Sequence, residues 1–219
     1  MAHNLYLTED EIGRLFQAAR AASHADFALL VVVYVLALRI TEAASIKRDE
    51  VDFTRGYIRI RVLKRSKDKK DAAGKVTQKR KAPPVVDVQV DAALLDILRE
   101  HIRQAPASPW LFPHPKDPAQ PTTRGLVQYA YHKAAVKIGL GKGYVWHPHL
   151  LRASRATHRA KELAKLGTPP LEAVAEVQAT LRHASPGMAF EYVKESSETR
   201  QAAQKADTAA VRRILGKVK

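Results

Sequence analysis

The chain has no cysteine in its 219 residues, which removes disulfides, thiolate zinc sites and cysteine nucleophiles together and fits a reducing compartment. Acidic side chains are scarce against basic ones: 22 Asp plus Glu face 37 Lys plus Arg, a formal charge of +15. That surplus calls for a polyanionic partner, most simply nucleic acid, because phosphate neutralisation releases counterions. An anionic membrane surface is the rival, but the basic residues are not gathered on one helix opposite an apolar face. Long hydrophobic runs are also missing. The most apolar stretch, Phe27 to Leu38, is twelve residues between Asp26 and Arg39; it is too short to span a bilayer and reads as a buried helix. The start, Met1-Ala2-His3-Asn4, lacks the basic-then-apolar order of a secretory signal. No internal repeat is present, and no glycine-rich phosphate loop follows a strand, which argues against nucleotide-dependent chemistry.

What is present reads as mostly helical. Thr8 and Glu11 form a capping box that opens a helix to about Ala22, with Ile12, Leu15 and Phe16 on its apolar face. Ala25 to Leu38 is predicted as a central core helix, closed by Arg39, with Thr41-Glu42 offering a fresh cap. From Tyr57 the apolar period becomes two: Ile58, Ile60 and Val62 alternate with Arg59 and Arg61, predicting a half-buried strand with a basic outer face. A second strand is predicted around Ala82 to Val88, at an edge because of Pro83-Pro84. Between them, residues 61 to 81 hold ten Lys/Arg and two Asp, half of the whole surplus, and predict a basic hairpin ordered by an anion. Asp91 caps a helix to about Arg103, a proline-rich loop runs from Gln104 to Gln120, and Thr122 or Thr123 starts a helix to about Ile138. His149 to Leu166 is a long basic helix stopped by Gly167; Thr168-Pro169 restarts one, and Ser185-Pro186 opens a short helix carrying Tyr192. The fold class is mainly α with a small antiparallel β-hairpin or sheet, an α+β arrangement.

Several residues carry chemistry. His149 and Arg152, three apart, share a helix face; a surface imidazole and a solvated guanidinium are the ordinary alternative. Arginine offers a rigid fork for phosphate oxygens, histidine moves protons near neutral pH, and tyrosine can serve as a covalent nucleophile. Arg39, at the end of an apolar helix, needs an anionic partner: Glu42 or a bound phosphate. A metal site from His147, His149 and His183 lacks an acidic ligand at suitable spacing.

The stretches Ala37-Leu38-Arg39-Ile40-Thr41-Glu42, His149-Leu150-Leu151-Arg152, Leu181-Arg182-His183 and Tyr192 resemble the motifs of the tyrosine recombinases, the lambda-integrase-like family. The resemblance runs from about Leu5 to the C-terminus. It implies a site-specific recombinase or integrase in which Tyr192 attacks a DNA phosphate to leave a 3′-phosphotyrosine, without metal, ATP or any cofactor. Arg39 and Arg152 would clamp the non-bridging oxygens, His183 would donate to phosphate, and His149 would assist proton movement. Lys64, with Lys67 as the alternative, would protonate the leaving 5′-oxygen. Arg65, Lys67, Lys69, Lys70 and Arg155 are candidate DNA contacts. The implied partner is double-stranded DNA, bound by a homo-oligomer, a tetramer on paired sites, with no membrane and a cytoplasmic setting.

Three departures stand out. Arg182 replaces the glycine of the family's Leu-Gly-His; Ala153 and Arg155 differ from the residues usual beside Arg152; and the His149 to His183 spacing of 34 residues exceeds the usual one. The expected organisation is a single catalytic domain over 1–219, with its core at about 5–194. A helical tail at about 197–219 either folds on its own domain or exchanges between subunits. The family's core-binding and arm-binding domains are absent from the sequence, which fits a fragment or a minimal recombinase. Two rivals remain: a type IB topoisomerase-like enzyme, and a catalytically silent DNA-binding module of the same fold.

Overall fold

A computed structural model describes residues 6–63, 69–70, 76–78, 82–140, 148–182, 187, 189 and 192–194. Thr8 accepts the amide of Glu11, and Glu11 answers on the amide of Thr8 at 2.8 Å, so helix α1 (Glu9–Ala22) begins with the expected capping box. Helix α2 (His24–Val35) is apolar on most sides, and Phe27 to Val33 are all buried. It ends three residues earlier than the apolar run suggests. Ala37 adopts a left-handed φ of 45°, Leu38 donates to the Val33 carbonyl and Ala37 to that of Tyr34. This is the paired closure in which glycine commonly sits. Helix α3 (Ile40–Ala44) follows with Arg39, not Thr41, at its cap.

The sheet is antiparallel with strand order β1-β2-β5, from β1 (Val51–Asp52), β2 (Tyr57–Arg61) and β5 (Val85–Gln89). Ile58 and Ile60 of β2 are fully buried, each contributing about 1.5–3 kcal/mol of apolar burial. The basic outer face is less bare than its sequence suggests: Arg59 pairs with Asp87 at 3.0 Å and Arg61 with Glu50. A small ribbon of β3 (Lys69–Lys70) and β4 (Val76–Gln78) lies within the basic hairpin.

Helix α4 (Ala92–Gln104) is capped by Asp91 and α5 (Arg124–Lys137) by Thr123. Helix α6 (His149–Lys165) runs to Gly167, whose φ of 76° suits the stop position. Helix α7 (Pro170–Leu181) restarts one residue later than expected, with Pro169 at the cap and Pro170 at the first helical position. Residues 187, 189 and 192–194 are helical. The predicted tail at about 197–219 lies outside the described residues.

The apolar interior falls into two clusters. The larger joins α1, α2, α4 and α5 to the sheet and takes Leu36, Leu38, Leu150 and Leu151. The smaller joins Ala37 to Ala156, Ala160, Val174, Val177, Leu181, Ala189 and Val193, with Tyr192 packed against it. The segment 36–38 therefore threads the seam between them, and α6 crosses that seam at Arg152. No described helix is long and apolar enough to cross a membrane.

Candidate active site

The seam holds a group of ionised side chains. Glu42 is 1% exposed, and taking a carboxylate out of water costs several kcal/mol unless it is paired. Its Oε2 accepts the backbone amide of Arg39 at 2.8 Å, and its Oε1 accepts the Arg39 guanidinium at 2.8 Å. The same carboxylate therefore caps α3 and neutralises the cation before it. Arg39 keeps 29% of its side chain exposed, which leaves part of its donor fork open to a ligand.

Arg152 reaches the seam from α6. It is not the solvated arginine of a surface helix: only 5% of it is exposed. One terminal nitrogen donates to the Ala37 carbonyl and the other to the Leu181 carbonyl, while Glu42 Oε2 stands 3.8 Å away. Burial, followed by the neighbouring Arg39 and Arg182 charges, pushes its pKa down to about 10, and Glu42 opposes the fall. The side chain remains a cation at neutral pH. Its two backbone partners lie 115 and 29 residues away in the chain, so the fork is held where the α2 and α7 termini meet.

Arg182 caps α7 with a left-handed φ of 51° and donates to the Leu36 and Ala37 carbonyls at 2.5 and 3.1 Å. Three guanidiniums thus gather around one described carboxylate, an excess of positive charge in a poorly solvated place. Such a place favours an anion, and favours it more as its charge grows. Tyr192 is half-buried against the smaller cluster, and its phenol lies within electrostatic range of Arg152. His149 stands exposed on the first turn of α6.

Of the residues singled out in the sequence, Arg39, Arg152 and Tyr192 are therefore placed about one seam. His183, Lys64, Arg65 and Lys67 lie outside the described residues. Lys69 and Lys70 form β3. Arg155 pairs with Glu162 at 2.9 Å. What the sequence left unseen is the role of backbone carbonyls: those of Ala37 and Leu181 hold Arg152, and no side-chain pattern announces them. A cavity of about 560 Å³ lined by His24, His101, Phe112 and Tyr129 lies at the N-terminal end of α2, and none of these candidates lines it. No group of three His, Asp or Glu among the described residues could hold a metal ion.

The mostly helical fold with its three-stranded antiparallel sheet is that of the tyrosine recombinase catalytic domain. It matches XerH site-specific recombinase, solved with a palindromic difH substrate as a post-cleavage complex, at a TM-score of 0.68 and 17% identity, covering 91% of this chain and 52% of that one. Residues 5–199 match the model of the phage integrase family, and the chain belongs to that family. Among curated relatives, the Sinorhizobium fredii integrase/recombinase y4qK is 29% identical over 154 residues, covering 70% of this chain and 43% of the relative. Tyrosine recombinase XerA of Pyrococcus furiosus is 26% identical over 159 residues, covering 69% and 46%. The chain thus spans under half the length of these two relatives.

Proposed function

We propose that this chain is the catalytic domain of a site-specific DNA recombinase or integrase that cuts and rejoins strands through a covalent tyrosine intermediate. The observation that carries the reading is the convergence of Arg39 and Arg152 on buried Glu42, with the Tyr192 phenol within electrostatic range of Arg152. A free phenol, with a pKa of about 10, is ionised to roughly one part in a thousand at neutral pH. Nearby cations favour its anion and draw a phosphate to the same place. The Tyr192 oxygen attacks phosphorus, the bond to the 5′-oxygen breaks, and a proton passes to that oxygen, leaving a 3′-phosphotyrosine and a free 5′-hydroxyl. Arg39 and Arg152 meet the charge that grows on the non-bridging oxygens. His183 donates to phosphate, His149 assists the proton, and Lys64, or Lys67 in its place, protonates the leaving oxygen. The phosphotyrosine keeps the free energy of the broken diester. Another 5′-hydroxyl can therefore reverse the step without ATP or metal.

The partner is duplex DNA, to which Arg65, Lys67, Lys69 and Lys70 add backbone contacts, and exchange requires an oligomer, a tetramer on two sites. The single catalytic domain over 1–219 is part of the same reading. The test is incubation with a pool of nicked duplexes carrying randomised cores, in EDTA. Wild type should give an SDS-resistant protein–DNA adduct and Tyr192→Phe none. Equal adduct from the Phe variant sinks the assignment. Relaxation of arbitrary supercoiled plasmid without recombinants would favour a topoisomerase instead.

A further inference from the structure

Arg182 carries local disadvantages that glycine in its place would not have. Its φ of 51° is a conformation that penalises any residue with a Cβ. Among the described residues its buried Nε–H has no hydrogen-bond partner, a state that native structures rarely tolerate. It also adds a third guanidinium beside Arg39 and Arg152, and burial lowers its pKa. Rules broken together at one residue point to a function that offsets them.

The compensating contacts identify that function. The C-terminal ends of α2 and α7 meet at the seam, and both carry partial negative charge on their last carbonyls. Arg152 spans the Ala37 and Leu181 carbonyls; Arg182 spans those of Leu36 and Ala37. If Arg152 were the sole link, its donors could turn to a phosphate only by releasing the helix ends that orient it.

We propose that Arg182 is a positioning residue: it ties the end of α7 to the end of α2, so that the Arg152 fork can engage the reacting phosphate without the seam opening. The inference rests on the phosphotyrosine reading of the site.

The test uses the full chain and a nicked duplex selected from the randomised pool by wild type. For Arg182→Gly, adduct formation at saturating DNA should slow by about tenfold or more, with DNA affinity changed by less than about threefold. The melting temperature should hold or rise, since glycine relieves the left-handed backbone and removes the orphaned donor. Both contacts leave one terminal nitrogen, so Arg182→Lys, whose ammonium carries three donors, can restore part of the tie, and its rate should lie between those of Arg182→Gly and wild type. A wild-type rate in the Gly variant overturns the proposal. So does a rate in the Lys variant no better than that of Arg182→Gly, which would show that donation to the two carbonyls does not carry the effect. A melting temperature that drops along with the rate in Arg182→Gly would reduce the contact to ordinary fold support and likewise overturn it. Absence of adduct from wild type itself removes the catalytic reading, and the role of Arg182 with it.

Discussion

Glu42 has almost no water around it and two arginines against it. Glu42→Gln keeps the shape and removes the charge, leaving Arg39 and Arg152 uncompensated in the seam. Breaking a buried pair in this way costs about 3–5 kcal/mol. At roughly 2–4 °C per kcal/mol for a domain of this size, scanning calorimetry should record a fall of about 6–20 °C. A fall under about 3 °C would mean that solvent, not Glu42, balances the arginines. The sequence narrowed this pairing to two partners, Glu42 three residues on or a bound phosphate, because a cation ending an apolar helix must find an anion. The full setting of Arg152 was not legible there. A backbone carbonyl is the same on every residue, so nothing in the letters marks Ala37 and Leu181 as its acceptors.

Helices and strands were legible wherever periodicity or a cap spoke clearly. Thr8, Asp91 and Thr123 cap as their positions suggest, and the alternation at Ile58 and Ile60 becomes β2 with both residues buried. The end of α2 was misplaced because an alanine, not a glycine, takes the left-handed closing position. Strands β3 and β4 were missed because a run of lysines has no apolar alternation to reveal a ribbon. That ribbon bears on the proposed DNA contact. Lys69→Gln combined with Lys70→Gln should lower the slope of log affinity against log salt by about 2, since each phosphate neutralised contributes roughly 0.9. Fluorescence anisotropy across a salt series would read the change, and an unaltered slope would place these lysines away from the phosphates.

For the molecule as a whole, the fold class followed from mainly helical periodicity with one alternating segment, whereas the assembly of the seam depends on contacts between distant segments. Its stability should depend on pH through two buried imidazoles. Burial pushes His101 and His158 below the usual histidine value; the Leu111 carbonyl partly opposes this at His101, and Glu9 at His158. Each binds a proton less readily in the folded chain than in the unfolded one, which takes up protons near pH 6.5. The unfolded state therefore binds more protons below that point, and stability is lost as pH falls through about 6.5. The urea midpoint should be lower at about pH 5.5 than at about pH 7.5. His101→Asn with His158→Gln should flatten that difference even while lowering stability at the higher pH; an equally steep profile would assign the effect to other groups. The two carbonyls that seat Arg152 belong to residues 37 and 181, and synthesis proceeds from the N-terminus. A nascent chain displays its basic hairpin long before residue 181 is made. On the ribosome the positive charge therefore precedes the arginine seat, and a prematurely ended product lacking residue 181 would carry the charge without it.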